Sequence, residues 1–348
     1  LANWAHLGDA VIATAVLPAL KEAYPDAKIG FLAASWSAAV FENHPLIDHL
    51  HVVDHWKLNR SSSPLRGKQA RYREMSRRAA QEMANLRYDA AVDLYPYFPN
   101  AIRLLARARI PVRVGYASGG FGPLLTHPFS WEDRGQPVAQ DHFDLLSALQ
   151  VPTGDLTPAL APLARSVYDS LHAKLPLRPP FLVFHPGPPS SKKAWSTHNW
   201  RLLAQRFSHR QIFFTGHGAE EAACIDSLCA GLPHAHSACD LLSWEEWTAL
   251  IAQCAQLITI DSAAAHIAAA FHTPTVVLFC GINDWRQWKP PHPSCVVATH
   301  PVPCAPCHQK RGCSSMACIR NLSVDAIRIA DAEQRAPCPV GEAAVEKC

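Results

Sequence analysis

Residues 257–279, LITIDSAAAHIAAAFHTPTVVLF, constrain the fold of this chain more than any other stretch. Leu257-Ile258-Thr259-Ile260 and Thr275-Val276-Val277-Leu278-Phe279 are apolar and β-branched enough for strands covered on both faces. The Ala-rich run between them, 263–271, has the length of a short crossover helix, so the unit reads as strand, helix, parallel strand. Asp261 and Ser262 fall where the first strand gives way to the helix N-terminus. In open α/β sheets ligands gather at such points, because unpaired backbone N–H groups and the helix dipole face the crevice. An Asp or Ser there also serves as a plain N-cap. His266, one turn on and on the face that looks back at the same opening, favours a site over a cap.

At 348 residues the chain is long enough for two cores of about 150 to 180 residues each. Hydrophobic residues at 49% and charged residues at 18% exclude a disordered chain. A net charge of +3 gives no reason to expect a nucleic-acid partner. No apolar run approaches the ~20 residues of a membrane span. The opening LANWAHLGDA lacks the basic start and apolar stretch of a secretory signal, which points to a cytoplasmic protein. The chain starts at Leu1 without an initiator Met, so further residues are expected before it. Lys68, Arg71, Arg73, Arg77, Arg78 and Arg87 cluster in one segment. Such a run reads first as a solvated helix face, and otherwise as a patch for anionic lipid or a phosphorylated acceptor.

Strand and helix signals alternate in two similar halves. In the first, Gly8-Asp9 leads into a helix with Val11, Ile12, Ala15, Val16, Ala19 and Leu20 on one face, ended by Tyr24-Pro25-Asp26. Residues 28–33, 49–54, 88–94 and 111–116 read as strands, and 117–140, rich in Gly, Pro and Ser, as loop. A Pro-rich connector with one helix, 152–180, carries the domain boundary. The second half restarts with a strand at 181–185, a Gly/Pro/Ser loop at 186–191 and a helix opened by Thr197. Residues 211–221 repeat strand, Gly-containing turn and acidic helix start. The fold class is therefore α/β, with two Rossmann-like, doubly wound parallel-sheet domains, 1–165 and 166–348. A cleft between their sheet edges is the expected small-molecule site.

Four blocks now carry a family resemblance across nearly the whole chain: LGDAVIATAVLPALKEAYPDAKIGFL, HPGPPSSKKAWSTHNWRLLAQRF, TGHGAEE and DSAAAHIAAAFHTPTVVLFCGINDWRQWKPP. Each alone is weak; four in order are specific. The sequence resembles glycosyltransferase family 9, the lipopolysaccharide heptosyltransferases, a GT-B fold group. The resemblance implies inverting transfer of heptose from ADP-heptose to a hydroxyl of the lipopolysaccharide inner core. It implies an enzyme of lipopolysaccharide core biosynthesis that contacts the cytoplasmic face of the inner membrane peripherally. No cofactor is required for that transfer. The N-terminal domain would take the acceptor, and the C-terminal domain the donor.

The resemblance also assigns residues. Asp9 is the general base, with Gly8 and Thr14 beside the acceptor, although from spacing alone Asp9 reads as an N-cap. Lys193 is the cation for the leaving diphosphate, with Lys192 as an adjacent spare; unaided, a Lys pair in such a loop is a solvated feature. The donor side takes Gly187, Ser191, Gly216 and Leu241, with Glu220 or Glu221 for the ribose hydroxyls. It also takes Asp261, His266 and the first-turn N–H groups of Ser262, Ala263 and Ala264. Ala263 stands where the family has Gly, which narrows the room for phosphate.

The chain has 12 cysteines. Cys224, Cys229, Cys239, Cys254 and Cys280 lie in apolar surroundings and read as small buried hydrophobes. Cys304, Cys307, Cys313 and Cys318 form C-x2-C-x5-C-x4-C in a loop rich in Pro, Gly and Ser, 304–318. They read as a structural tetrathiolate site for iron or zinc, or as unligated thiols. Two other functions remain open at this level. One is heptose transfer onto protein hydroxyls by the same fold; the other is a non-catalytic metal-binding scaffold.

Overall fold

The structure, a computed structural model, describes residues 1–309 and 311–327. The chain divides into two compact units, Leu1–Pro162 and Leu163 onward, where 165/166 was expected. Residues 328–348 of the expected C-terminal domain lie outside the described residues.

The first unit holds β1 (Gly30–Ala33), β2 (His49–Val52), β3 (Ala90–Asp93), β4 (Val112–Tyr116) and β5 (His127–Phe129). β1 pairs in parallel with β2, and β3 with β4 with β5. The opening residues insert between β1 and β3: Ala2 bridges Leu32 and Asp93 in parallel, and Asn3 N–H donates to the Leu32 carbonyl. Counting that segment, the spatial order is β2, β1, opening, β3, β4, β5. Trp4, Leu32, Met75, Met83 and Leu104 share one core.

The single expected helix after Asp9 is two, Leu7–Ala13 and Val16–Ala23, broken at Thr14. The expected loop 117–140 hides β5, a three-residue edge strand containing Pro128 that is too short to show a period. The arginine-rich segment is a helix, Leu65–Leu86, burying Met75, Ser76, Ala79, Ala80 and Met83 and exposing Arg66, Arg71, Arg73, Arg77 and Arg78. Among the described residues no helix is long and apolar enough to cross a membrane.

The second unit is one six-stranded parallel sheet, ordered β11-β10-β9-β6-β7-β8. Its strands are β6 (Phe181–His185), β7 (Gln211–Phe214), β8 (Ala235–Ser237), β9 (Gln256–Ile260), β10 (Thr275–Leu278) and β11 (Cys295–Ala298). β9 and β10 are buried at every position, which is why their sequences are continuous apolar runs. The crossover helix between them spans Ala263–Ala270. β8 and β11 are edge strands that the sequence pattern does not mark. In chain order this is the doubly wound 3-2-1-4-5-6 arrangement, whose order reverses between β6 and β9. The loops leaving those two strands diverge to opposite sides and open a crevice at their carboxyl ends. Phe184, Trp200, Phe214 and Ile258 pack the core beneath it.

Candidate functional site

The crevice of the second unit is built from the loops after β6 and β9. Gly187, just past β6, has φ +66°, and a Cβ there would stand 2.7 Å from Ile260 Cδ1 at the end of β9. Only glycine lets the first loop lie so closely on the neighbouring strand. The loop then turns through Ser191, whose hydroxyl accepts the Lys193 N–H at 3.2 Å. Lys193 Nζ reaches across the switch point to Asp261 Oδ2 at 2.5 Å and the Asp261 carbonyl at 3.4 Å. Asp261 is buried, whereas the Lys193 side chain keeps 34% of its exposure, so a buried carboxylate anchors a partly exposed cation.

Ser262 is the N-cap of the Ala263–Ala270 helix, in extended conformation, and its hydroxyl pairs with Thr259 Oγ1 at 2.9 Å instead of capping. The N–H groups of Ser262, Ala263 and Ala264 belong to the first turn, where helices lack internal acceptors. A cation and a helix N-terminus thus converge on one place, which suits an anion. His266 is buried one turn below, and its Nδ1 has no hydrogen-bond partner. Burial pushes its pKa down to about 4, with Asp261 opposing and Lys193 assisting, so it is neutral at physiological pH.

The two adjacent lysines, equivalent in sequence, go to different places. Lys192 is exposed, and a Cβ on Gly312 would lie 3.1 Å from its Cδ, so its stem rests on the Cys-rich segment. Lys193 alone pairs with Asp261.

Toward β7 and β8 the edge is acidic. Glu220 Oε1 accepts the Ser190 N–H at 2.8 Å, tying the β6 loop to the helix Ala219–Cys229. Hydrogen bonds from Ser190 hold its carboxyl below the ordinary range. Glu221 is half-buried behind Gly216, accepts the His217 N–H at 3.3 Å, and has its pKa raised by burial. Leu241 is 52% exposed at the carboxyl end of the same edge.

Three residues here escape sequence reasoning. Asp240 accepts the Gly218 N–H at 2.9 Å and pairs with His217 at 2.7 Å. His185 Nδ1 meets Thr215 Oγ1 at 3.0 Å, and burial lowers its pKa to about 4. The signal for His185 and Thr215 was a polar residue ending an apolar strand; Asp240 has none.

In the first unit, Gly8 and Asp9 lie in the first turn of Leu7–Ala13. Asp9 Oδ2 accepts the His6 N–H at 3.1 Å, so the carboxylate does cap the helix. It remains partly exposed at the carboxyl end of the opening segment, the counterpart of the β6 loop. Thr14 corrects an expectation: it is fully buried and its hydroxyl donates to the Val11 carbonyl, so it is not presented to an acceptor. Among the arginines, Arg71 pairs with Asp54 at 3.2 Å and Arg78 with Glu82 at 3.6 Å.

Nor does the structure assemble the four-sulfur centre expected at 304–318. Among the described residues no three His, Cys, Asp or Glu side chains converge as ligands. Cys304 and Cys313 are exposed, Cys307 is half-buried, and Cys318 packs in the core with Met316 and Ile319. Cys313 Sγ accepts the Met316 N–H at 3.3 Å. Instead the segment braces the site: Cys307 and His308 N–H groups donate to the Gly281 and Ile282 carbonyls just past β10. Of the other cysteines, Cys239, Cys254 and Cys280 are buried, while Cys224 and Cys229 are half-buried.

Comparison with known proteins places the fold and the family. Lipopolysaccharide heptosyltransferase 3 of Escherichia coli is 26% identical over 310 residues, covering 81% of this chain and 84% of that protein. The solved structure of E. coli ADP-heptose lps heptosyltransferase II matches with a TM-score of 0.70 at 19% identity, over 86% of this chain and 90% of its own. That of E. coli heptosyltransferase WaaC with ADP-2-deoxy-2-fluoro heptose matches at 0.68 and 15% identity, over 93% and 96%. The fold is therefore that of the GT-B heptosyltransferases. The model of glycosyltransferase family 9 (heptosyltransferase) covers residues 76–317, crossing from the first unit well into the second. This chain belongs to glycosyltransferase family 9, the heptosyltransferases, and is a glycosyltransferase.

Proposed function

We propose that the protein is an inverting heptosyltransferase that moves heptose from ADP-heptose to a hydroxyl of the lipopolysaccharide inner core. The observation that carries this reading is the Lys193–Asp261 pair beside the first turn of Ala263–Ala270, at the switch point of a doubly wound sheet. A nucleoside diphosphate leaving group needs such a cation and such N–H donors as its charge develops. Asp9 takes the proton of the acceptor hydroxyl. The oxygen attacks the anomeric carbon on the face opposite the diphosphate, the glycosidic bond forms, and the bond to the diphosphate breaks with inversion. ADP departs with the electron pair, met by Lys193 and the N–H groups of Ser262, Ala263 and Ala264. The exposed arginine row of Leu65–Leu86 supports work at the anionic cytoplasmic surface of the inner membrane.

The test is turnover. Purified protein with ADP-heptose is offered truncated lipopolysaccharide in one arm and a Ser-rich peptide in the other, and ADP release is followed. Release with the lipopolysaccharide alone is the expected result. Release with the peptide alone would replace the acceptor by protein; release with neither would sink heptose transfer.

A further inference from the structure

Asp9 shares its sheet edge with aromatic rings that the transfer chemistry leaves without a role. The opening segment and β3 flank the point where the first unit's strand order reverses, as β6 and β9 do in the second. Asp9 leaves the first of these strands; Tyr95 and Tyr97 leave the second. Trp131, just past β5, completes the group. Tyr95 and Tyr97 meet edge-to-face at 5.6 Å between ring centroids, and Tyr97 and Trp131 at 5.2 Å. All three rings are partly exposed, and none belongs to the core cluster that holds Trp4 and Met75.

The neighbouring Asp141 carboxylate accepts from Gln136 Nε2 at 2.6 Å, and Trp131 favours its charged form. The partly exposed indole offers a ligand its apolar face. The charge of Asp9 is felt by both tyrosines, whose phenols are pushed up mainly by burial, that of Tyr97 to about 12. Asp133 and Asp141 act on Tyr97 in the same sense. Fixed aromatic faces ringed by carboxylates match one kind of ligand. A pyranose turns its C–H face onto an aromatic ring while its equatorial hydroxyls donate to surrounding oxygens. A serine side chain in a peptide has no such face.

We propose that Tyr97 and Trp131 are the stacking platform for the acceptor's sugar ring, so that this edge selects a sugar hydroxyl over a protein one. The inference rests on heptose transfer to a sugar hydroxyl and deepens it by naming the residues that hold the acceptor. Both side chains are positioning residues, acting on where the acceptor sits and not on proton transfer.

The experiment uses the full chain with ADP-heptose and deacylated truncated lipopolysaccharide. Trp131→Ala and Tyr97→Ala should each raise the acceptor KM roughly tenfold, the scale of one lost stacking contact, with the donor KM and ADP affinity unmoved. Trp131→Phe and Tyr97→Phe should recover most of the loss, because a ring is restored. Acceptor saturation unchanged in both Ala variants overturns the proposal, as does an equal loss in the Phe variants or an equal shift in donor binding. Calorimetric binding of the deacylated acceptor to wild type and to Trp131→Ala tests the platform without turnover. Stacking therefore stands or falls even if ADP-heptose is not the donor. Thermal melts of all four variants separate misfolding from lost binding.

Discussion

Lys193 and Asp261, 68 residues apart in the chain, meet at 2.5 Å across the point where the second sheet reverses its strand order. The carboxylate fixes the ammonium at the mouth of the crevice, and a diphosphate bound there shares the same cation. Lys193→Ala should weaken ADP binding about tenfold or more and AMP binding less, since charge-assisted bonds to phosphate are strong. Lys192→Ala should stay within about threefold, because that side chain rests on Gly312 instead. Titration calorimetry of both variants checks this. Equal losses would mean that either lysine serves the phosphate.

Asp9 has two separable duties. Its carboxylate caps Leu7–Ala13 through the His6 N–H, and it is the proposed base. Asp9→Asn keeps an acceptor for that N–H, so the melting temperature should hold while kcat falls by about 10² to 10⁴. Asp9→Ala should lose, in addition, about 1 kcal/mol of stability. ADP affinity should be unchanged in both. A drop in nucleotide binding that matches the drop in turnover would make Asp9 a purely structural residue.

Acid should act on the first unit through His142. The ring is 1% exposed in the helix Val138–Leu146, and its Nδ1 has no partner. Burial lowers its pKa from 6.5 to about 4. The unfolded chain therefore binds the proton first as pH falls, and stability is lost between 6.5 and about 4. At about 1.4 kcal/mol per pH unit the full effect approaches about 3 kcal/mol. His142→Gln lacks it, so urea denaturation should show the variant gaining on wild type by that amount from neutral pH to pH 4. A difference between the two that does not vary with pH would show that His142 takes its proton as freely folded as unfolded.

The cysteines should differ in reactivity. Cys304 and Cys313 are exposed, and the Cys313 thiol is held below its ordinary pKa by Ser315 and the Met316 N–H. A chromogenic thiol reagent at neutral pH should therefore modify Cys313 first and Cys304 soon after. Cys254 and Cys280 should wait for unfolding, being buried. Mass mapping of the labelled sites reads the order. If instead Cys304, Cys307, Cys313 and Cys318 are all protected until a chelator is added, with one equivalent of metal released, the loop binds a metal in solution with its sulfurs drawn together.

The strands around the candidate site were legible because their signals are local. β6, β9 and β10 are buried on both faces and read as apolar runs. The Asp261 turn and the helix after it fall within one short window. The edge strands β5, β8 and β11 were not legible: they are three or four residues long, and their strand state depends on the neighbour they pair with. Thr14 followed the resemblance and failed in the structure, because its burial comes from packing that no spacing reveals.

By itself the sequence determined that this is an α/β chain with two doubly wound halves, and that Gly187, Asp261 and His266 stand where a parallel strand turns into a loop or helix. Those properties follow from hydrophobic period and turn chemistry over a few residues. The tertiary structure decided which lysine pairs with Asp261, since Lys192 and Lys193 differ only in what lies opposite them. It also decided which of four closely spaced cysteines are exposed and which is buried, and that Tyr97 and Trp131, far apart in the chain, meet edge to face. Each of those outcomes depends on strand order, which brings distant loops to a common edge and leaves no mark on the spacing of neighbouring residues.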